Sequence, residues 1–225
     1  EYMDESYEQG KSSPVIMHYI ENIIELGKPY KQASSLICKG AKITAIKSGV
    51  GEAGSRAASS HTGAMASPDK AVDALFRKAG IIRCYSRGEL VNVASALMYP
   101  APKGNRFAIV THAGGPAVMQ TDILSGNGIE IPTFSGPKAD ELLSKLYPGS
   151  SVANPIDFLA TGTAPQLGHI LDACENDFDV DGITVIFGNP GLTTTFDVYD
   201  LLTEKIKSSK KPLYPVLPPS VHSAA

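Results

Sequence analysis

The chain's 225 residues are enough for one large α/β domain or two smaller ones with cores of their own. A hydrophobic share of 43% and a charged share of 19% fit a globular protein, and a net charge of -3 gives no electrostatic reason to expect nucleic acid. No run approaches the roughly 18–20 apolar residues that span a bilayer, and no basic segment followed by an apolar one opens the chain, so neither a membrane span nor a secretory leader is expected.

Strand and helix signals alternate from the start. VIMHYI (15–20) predicts a strand, Asn22 to Cys38 a helix that stops at Gly40, and KITAIKS (42–48) a second strand. A long Gly/Ala/Ser connection follows. Asp69 to Ala79 has helical spacing and ends at Gly80; Ile81 to Cys84 predicts a short strand. Ser86 then caps a helix reaching about Met98, with Glu89 at the capping-box position.

PAPKGN (100–105) is the clearest break, and the pattern restarts after it. RFAIVTH (106–112) predicts a strand, Pro116 to Ser125 a helix, IEI (129–131) a short strand and Lys138 to Leu146 a helix. VANPIDF leads to a helix near Gln166 to Glu175, the buried strand GITVIF (182–187), a helix from about Phe196 to Lys207 and the strand PLYPVL. Strand, helix, strand with short connections implies parallel sheets covered on both faces. The expected fold is α/β: two flavodoxin-like doubly wound parallel-sheet units, 1–101 and 102–225. No internal repeat is visible. The chain begins in an acidic stretch and ends in a tail, which reads as a fragment of a longer polypeptide.

Cys38, Cys84 and Cys174 lie far apart with no CxxC and no histidine at ligand spacing. They read as small buried hydrophobes in a reducing, cytoplasmic compartment, and no metal site is expected.

The stretch KSGVGEAGSRAASSHTGAMASPDK (47–70) is long for a connection in a compact fold and shows no apolar periodicity. Its GVGEAG (49–54) matches the glycine fingerprint of dinucleotide folds. No helix is expected promptly after the third glycine, however, and the next acids do not end a second strand at the required distance. Only one side chain in the stretch is both nucleophilic and titratable near neutrality, His61. Taken by itself, such a histidine is either an incidental polar residue or a reactive one.

SRAASSHTGAMAS (55–67), AGIIR (79–83), YIENI (19–23), KGNRFAIVTHAGGPAV (103–118), NPIDF (154–158) and GITVIFGNPG (182–191) together resemble the NDP-forming acyl-CoA synthetases. These include ADP-forming acetyl-CoA synthetases and are related to succinyl-CoA synthetase. The resemblance implies that His61 carries a phosphoryl group between an acyl phosphate and a nucleotide. It implies that Glu21 accepts a hydrogen bond from the imidazole. It also implies that backbone N–H groups of Ala113, Gly114 and Gly115, at a helix start, contact the phosphate. Both units are then succinyl-CoA synthetase-like flavodoxin domains, the first carrying the histidine and the second the anion site toward which it projects. Asn154 and Asp157 are expected to shape a loop near the site. His112, His18, His169 and His222 are read as structural or incidental, and Lys207 to Lys211 as a solvated helix end.

The resemblance implies substrates as well: an acyl-CoA or carboxylate, with Mg-ATP or ADP and CoA bound by domains not seen in this sequence. The partners implied are an ATP-grasp domain or subunit and a CoA-binding domain. A first strand of the histidine-bearing unit is also expected to lie outside the chain, and no synthetase activity is expected of the chain alone. The family usually has a charged residue where Gly51 falls. Two alternatives stay open: a regulatory synthetase-like region of a protein lysine acetyltransferase, or a non-catalytic flavodoxin-like module holding FMN or a nucleotide.

Overall fold

The computed structural model describes residues 2–23, 25–62, 67–188 and 196–218, with residues 61 and 62 described by their backbone alone. The chain divides into two units, Glu1–Met98 and Tyr99–Ala225.

The first unit runs α1 (Tyr2–Ser6), β1 (Val15–Ile20), α2 (Gly27–Cys38), β2 (Lys42–Lys47), α3 (Glu52–Thr62), α4 (Asp69–Ala79), β3 (Ile82–Cys84) and α5 (Arg87–Met98). Its three strands form a parallel sheet in the order β1-β2-β3. Alternation along β2 sends Ile43 into a cluster with Leu36 and Ala41, and Ala45 into one with Val72, Leu75 and Phe76, so α2 and α4 cover one face. α5 packs against β1 and β2. Gly80 ends α4 with φ of 81°, a left-handed position that favours glycine. Ser86 Oγ accepts the N–H of Glu89 at 3.1 Å, while the Glu89 carboxylate reaches back to Tyr85 N–H at 2.7 Å.

Two secondary-structure expectations for this unit are corrected. α2 begins at Gly27 rather than Asn22, because the backbone of Ile23 is bonded to Ser67 instead of to a helical turn. The supposed featureless connection holds α3. Its half-buried face consists of Ser55, Ala58 and Ser59, helically spaced but too small to register as an apolar stripe. Alanines favour the helix, and Glu52 and Arg56 pair at 2.8 Å one turn apart. A helix therefore does start within GVGEAG, contrary to expectation, although no acid ends the following strand, β3.

The second unit runs β4 (Phe107–Thr111), α6 (Gly114–Gly126), α7 (Pro137–Ser144), β5 (Ile156–Asp157), α8 (Ala164–Asn176), β6 (Gly182–Ile186), α9 (Phe196–Ser208) and β7 (Leu213–Val216). Its strands are parallel in the order β5-β4-β6-β7. β4 and β6 are buried throughout, as a strand covered on both faces requires. Ala108 and Val110 join the large cluster containing Leu142, Leu167 and Ile170, while Ile109 packs with Ala117 and Ile186 on the α6 side.

The IEI strand shrinks to one bridge, Glu130 opposite Arg106. Between that bridge and β5, the Asn154 side chain takes the place of a neighbouring strand. Its Oδ1 accepts Ile109 N–H at 2.9 Å, and its Nδ2 donates to the carbonyls of Phe107 at 3.0 Å and Pro132 at 2.9 Å. Cys84 and Cys174 are buried, but Cys38 is exposed at the end of α2, against expectation. Burial pushes the Cys174 thiol up to about 12. Lys211 is not simply solvated, since its ammonium donates to the Cys174 and Phe178 carbonyls at the end of α8. Among the described residues no helix is long and apolar enough to cross a membrane.

Candidate functional site

In the first unit the chemistry gathers at the carboxyl ends of the strands, where open parallel sheets place their sites. β1 and β2 stay in register to Ile20 opposite Lys47, and Ser48 N–H then donates to the Ile20 carbonyl at 2.9 Å. Glu21 is the next residue. It lies past the strand and six positions before α2, so it is not a helix-capping acid. Tyr19 Oη donates to Glu21 Oε1 at 3.3 Å.

Just beyond, Ser67 holds the turn. Its hydroxyl accepts Ile23 N–H at 2.8 Å and sits 2.5 Å from Asn22 Oδ1 and 2.9 Å from the Ile23 carbonyl, so its single proton goes to one of these two oxygens. Ser48 and Ser67 bracket the segment that carries His61. Both of its feet are thus bonded to the residues on either side of Glu21. The His61 backbone is the penultimate residue of α3; its side chain lies outside the described residues, as does His222.

Two further groups border this end of the sheet. Lys47, at the end of β2, is buried, and its ammonium donates to the Ser48 carbonyl. Burial lowers its pKa from the usual lysine value; Asp69 opposes the shift, Arg83 adds to it and Glu21 opposes it. Arg83, on β3, binds Asp69 at 2.5 Å and Asp73 at 3.0 Å, which ties the first turn of α4 to the sheet two residues after Ser67.

In the second unit, β4 leads directly into α6. Ala113 is the N-cap in an extended conformation, and Gly114 and Gly115 are the first two helical residues, both exposed. First-turn N–H groups have no intrahelical acceptor, so those of Gly114 and Gly115 are available to an anion. The N–H of Ala113 is not, because Thr111 Oγ1 accepts it at 2.9 Å; that expected contact is already occupied. Close approach of protein does not explain the two glycines. A Cβ on Gly114 would meet only Asp157 Oδ2 at 3.7 Å, and one on Gly115 nothing within 4 Å.

Asp157 makes an Asx turn, its Oδ1 accepting Leu159 N–H at 2.9 Å. His112 Nε2 accepts Gly188 N–H at 2.7 Å, and its ring lies 4.6 Å from Phe187. The neutral ring therefore carries its proton on Nδ1, which is buried with no partner among the described residues. Burial holds the His112 pKa below the usual imidazole value, against the pull of Asp157. No group of three or more metal-ligating side chains is present among the described residues.

Residues 2–97 match the family described as the succinyl-CoA ligase like flavodoxin domain. The alpha subunit of Pyrococcus furiosus ADP-forming acetate–CoA ligase II is 34% identical over 180 residues, covering 79% of this chain and 39% of that subunit. The alpha subunit of isoform I from the same organism is 29% identical over 215 residues, covering 93% of this chain and 46% of that one. A solved structure, the dinucleotide forming acetyl-coenzyme A synthetase 1 of Ca. Korarchaeum cryptofilum in complex with phosphate and ADP, superposes with a TM-score of 0.81. It is 29% identical and matches 99% of this chain and 48% of that one.

The chain carries the succinyl-CoA ligase like flavodoxin domain and is homologous to the ADP-forming acetate–CoA ligases. It spans less than half the length of these synthetase relatives. Of the positions that the resemblance marked, Glu21 stands in the first unit between the two bonded ends, Ser48 and Ser67, of the segment that carries His61. Gly114 and Gly115 are open and Ala113 is engaged in the second. Ser67, Lys47 and Thr111 were not singled out from the sequence. A lone serine or threonine carries no pattern of its own, and Lys47 reads as the polar end of a strand.

Proposed function

We propose that this chain is the phosphohistidine-bearing part of an NDP-forming acyl-CoA synthetase, with His61 as the carrier. The observation that supports it most is the double attachment of the His61 segment, through Ser48 and Ser67, to the residues flanking Glu21.

In this reading acyl-CoA and phosphate give an acyl phosphate and free CoA on domains beyond this chain. A neutral ring nitrogen of His61 then attacks phosphorus. The bond from phosphorus to the acyl oxygen breaks, and the carboxylate leaves. ADP next takes the phosphoryl group from the imidazole, giving ATP and restoring the neutral ring. Glu21 accepts a hydrogen bond from the other ring nitrogen, fixing the tautomer and stabilising the positive charge that develops on the ring. The N–H groups of Gly114 and Gly115, with the positive end of α6 behind them, bind the phosphoryl oxygens. The partners are an ATP-grasp domain or subunit, which supplies the nucleotide, and a CoA-binding domain. The three free thiols support a reducing, cytoplasmic setting.

The test is to combine the chain with an ATP-grasp component, magnesium and ATP labelled at the γ-phosphate. An acid-labile, base-stable label is expected in the wild type, absent in His61→Asn and strongly reduced in Glu21→Gln. Label that persists in His61→Asn refutes the assignment.

A further inference from the structure

We propose that Ser67 is a positioning residue: it latches the C-terminal foot of the carrier segment onto the Asn22–Ile23 turn and so sets where Glu21 stands relative to His61. The inference rests on the phosphohistidine reading and goes beyond it, because the resemblance assigns no role to Ser67, the last residue of SRAASSHTGAMAS.

Four observations carry it. Ser67 is 9% exposed, so its hydroxyl is largely shut away from water that could replace its partners. Its oxygen lies within hydrogen-bond distance of both backbone groups of Ile23 and of the Asn22 side chain. The β1–β2 ladder ends at Ile20 with the Ser48 bond, so Ser67 takes over the backbone where the ladder gives out. Glu21 stands between these two anchors, with the exposed Tyr19 hydroxyl as its one described side-chain hydrogen-bond donor, at 3.3 Å.

The covalent chain gives the latch a length scale. His61 precedes Ser67 by six positions, so its Cα lies no more than about 20 Å from that of Ser67 whatever the path between them. With the latch released, the next anchored residue is Asp69, held by Arg83, and the limit grows to about 27 Å. Ser67 therefore shortens the tether and fixes its origin beside Glu21.

The experiment uses the full-length chain with its ATP-grasp component and γ-labelled Mg-ATP, comparing Ser67→Ala, Ser67→Thr and the pair Ser67→Ala/Glu21→Gln. Ser67→Ala is expected to raise amide exchange at Ile23 by 10- to 100-fold. It is also expected to slow single-turnover labelling of His61 by a similar factor while the KM for ATP stays within about twofold. Ser67→Thr keeps the hydroxyl and should recover most of the rate. Because Ser67 acts through Glu21, the double variant should be no slower than Glu21→Gln alone. Unchanged Ile23 exchange in Ser67→Ala, or losses that multiply in the double variant, overturns the proposal. If the wild-type chain takes up no label at all, the phosphohistidine reading fails instead, and the exchange measurement still judges the latch.

Discussion

Replacing Asn154 by alanine removes the carboxamide that stands in for a strand beside β4. Ile109 is fully buried, and its N–H has that carboxamide as its acceptor. Leaving a buried donor unpaired costs about 1–3 kcal/mol, and each of the two carbonyl bonds from Nδ2 contributes roughly another 0.5–1.5. Asn154 also has φ of 69°, a conformation that asparagine tolerates better than alanine. Together these predict a loss of about 3–5 kcal/mol for Asn154→Ala in the second unit. Asn154→Gly loses the same bonds without the backbone penalty, so it should be about 1 kcal/mol more stable than the alanine variant. Urea unfolding followed by circular dichroism reads both numbers. A loss below about 1 kcal/mol in Asn154→Ala would falsify the claim that this side chain completes the sheet. Equal stability of the two variants would remove the backbone part of the argument. β4 delivers Thr111 and Ala113 to the start of α6, so the same variant should also disturb the helix start proposed to bind the phosphoryl group.

Three other outcomes follow from the geometry. Gly115→Ala should leave stability unchanged or raise it by up to about 1 kcal/mol, since its Cβ meets nothing. It should still cut phosphoryl transfer at least tenfold by crowding the phosphate, and transfer at the wild-type rate would mean that this helix start does not meet the phosphoryl group. His112 and His18 both have pKa values lowered by burial from 6.5. The unfolded chain therefore binds more protons just below that pH; their contribution is complete above 6.5 and declines as pH falls through the lowered folded values. The melting temperature should fall on acidification from pH 7, and His112→Asn should flatten the slope; identical slopes would remove His112 from the account. Arg83→Met leaves Asp69 and Asp73 facing each other without their shared cation. Because those carboxylates are about a quarter exposed, the expected loss is about 2–3 kcal/mol rather than the full cost of breaking a buried pair. Adding Asp69→Asn and Asp73→Asn should recover much of it, as urea titration of the variants would reveal.

The α/β class and nearly every element were legible because strands buried on two faces leave continuous apolar runs, as in FAIVT and GITVI, between amphipathic helices. α4 and α5 were legible almost to the residue, since Gly80 and the Ser86–Glu89 pair are local stop and start signals. α3 was not. Its packing face is built from Ser55, Ala58 and Ser59, so periodicity measured on large side chains sees nothing there. The misplaced start of α2 has a different cause. Asn22 and Ile23 satisfy a helical pattern, but their hydrogen bonds go to Ser67, 44 and 45 positions away.

By itself the sequence determined that His61 is the one nucleophile of its stretch that titrates near neutrality, and that two glycines open a helix after a buried strand, because nucleophilicity and backbone freedom belong to residue types. Tertiary structure decided what supports them. Asn154 completes a sheet, Thr111 withdraws the Ala113 N–H, and Ser67 ties the carrier segment beside Glu21. Each of these depends on which hydrogen-bonding partner the fold brings within 3 Å, and a hydroxyl or carboxamide carries no trace of that partner in its own place along the chain.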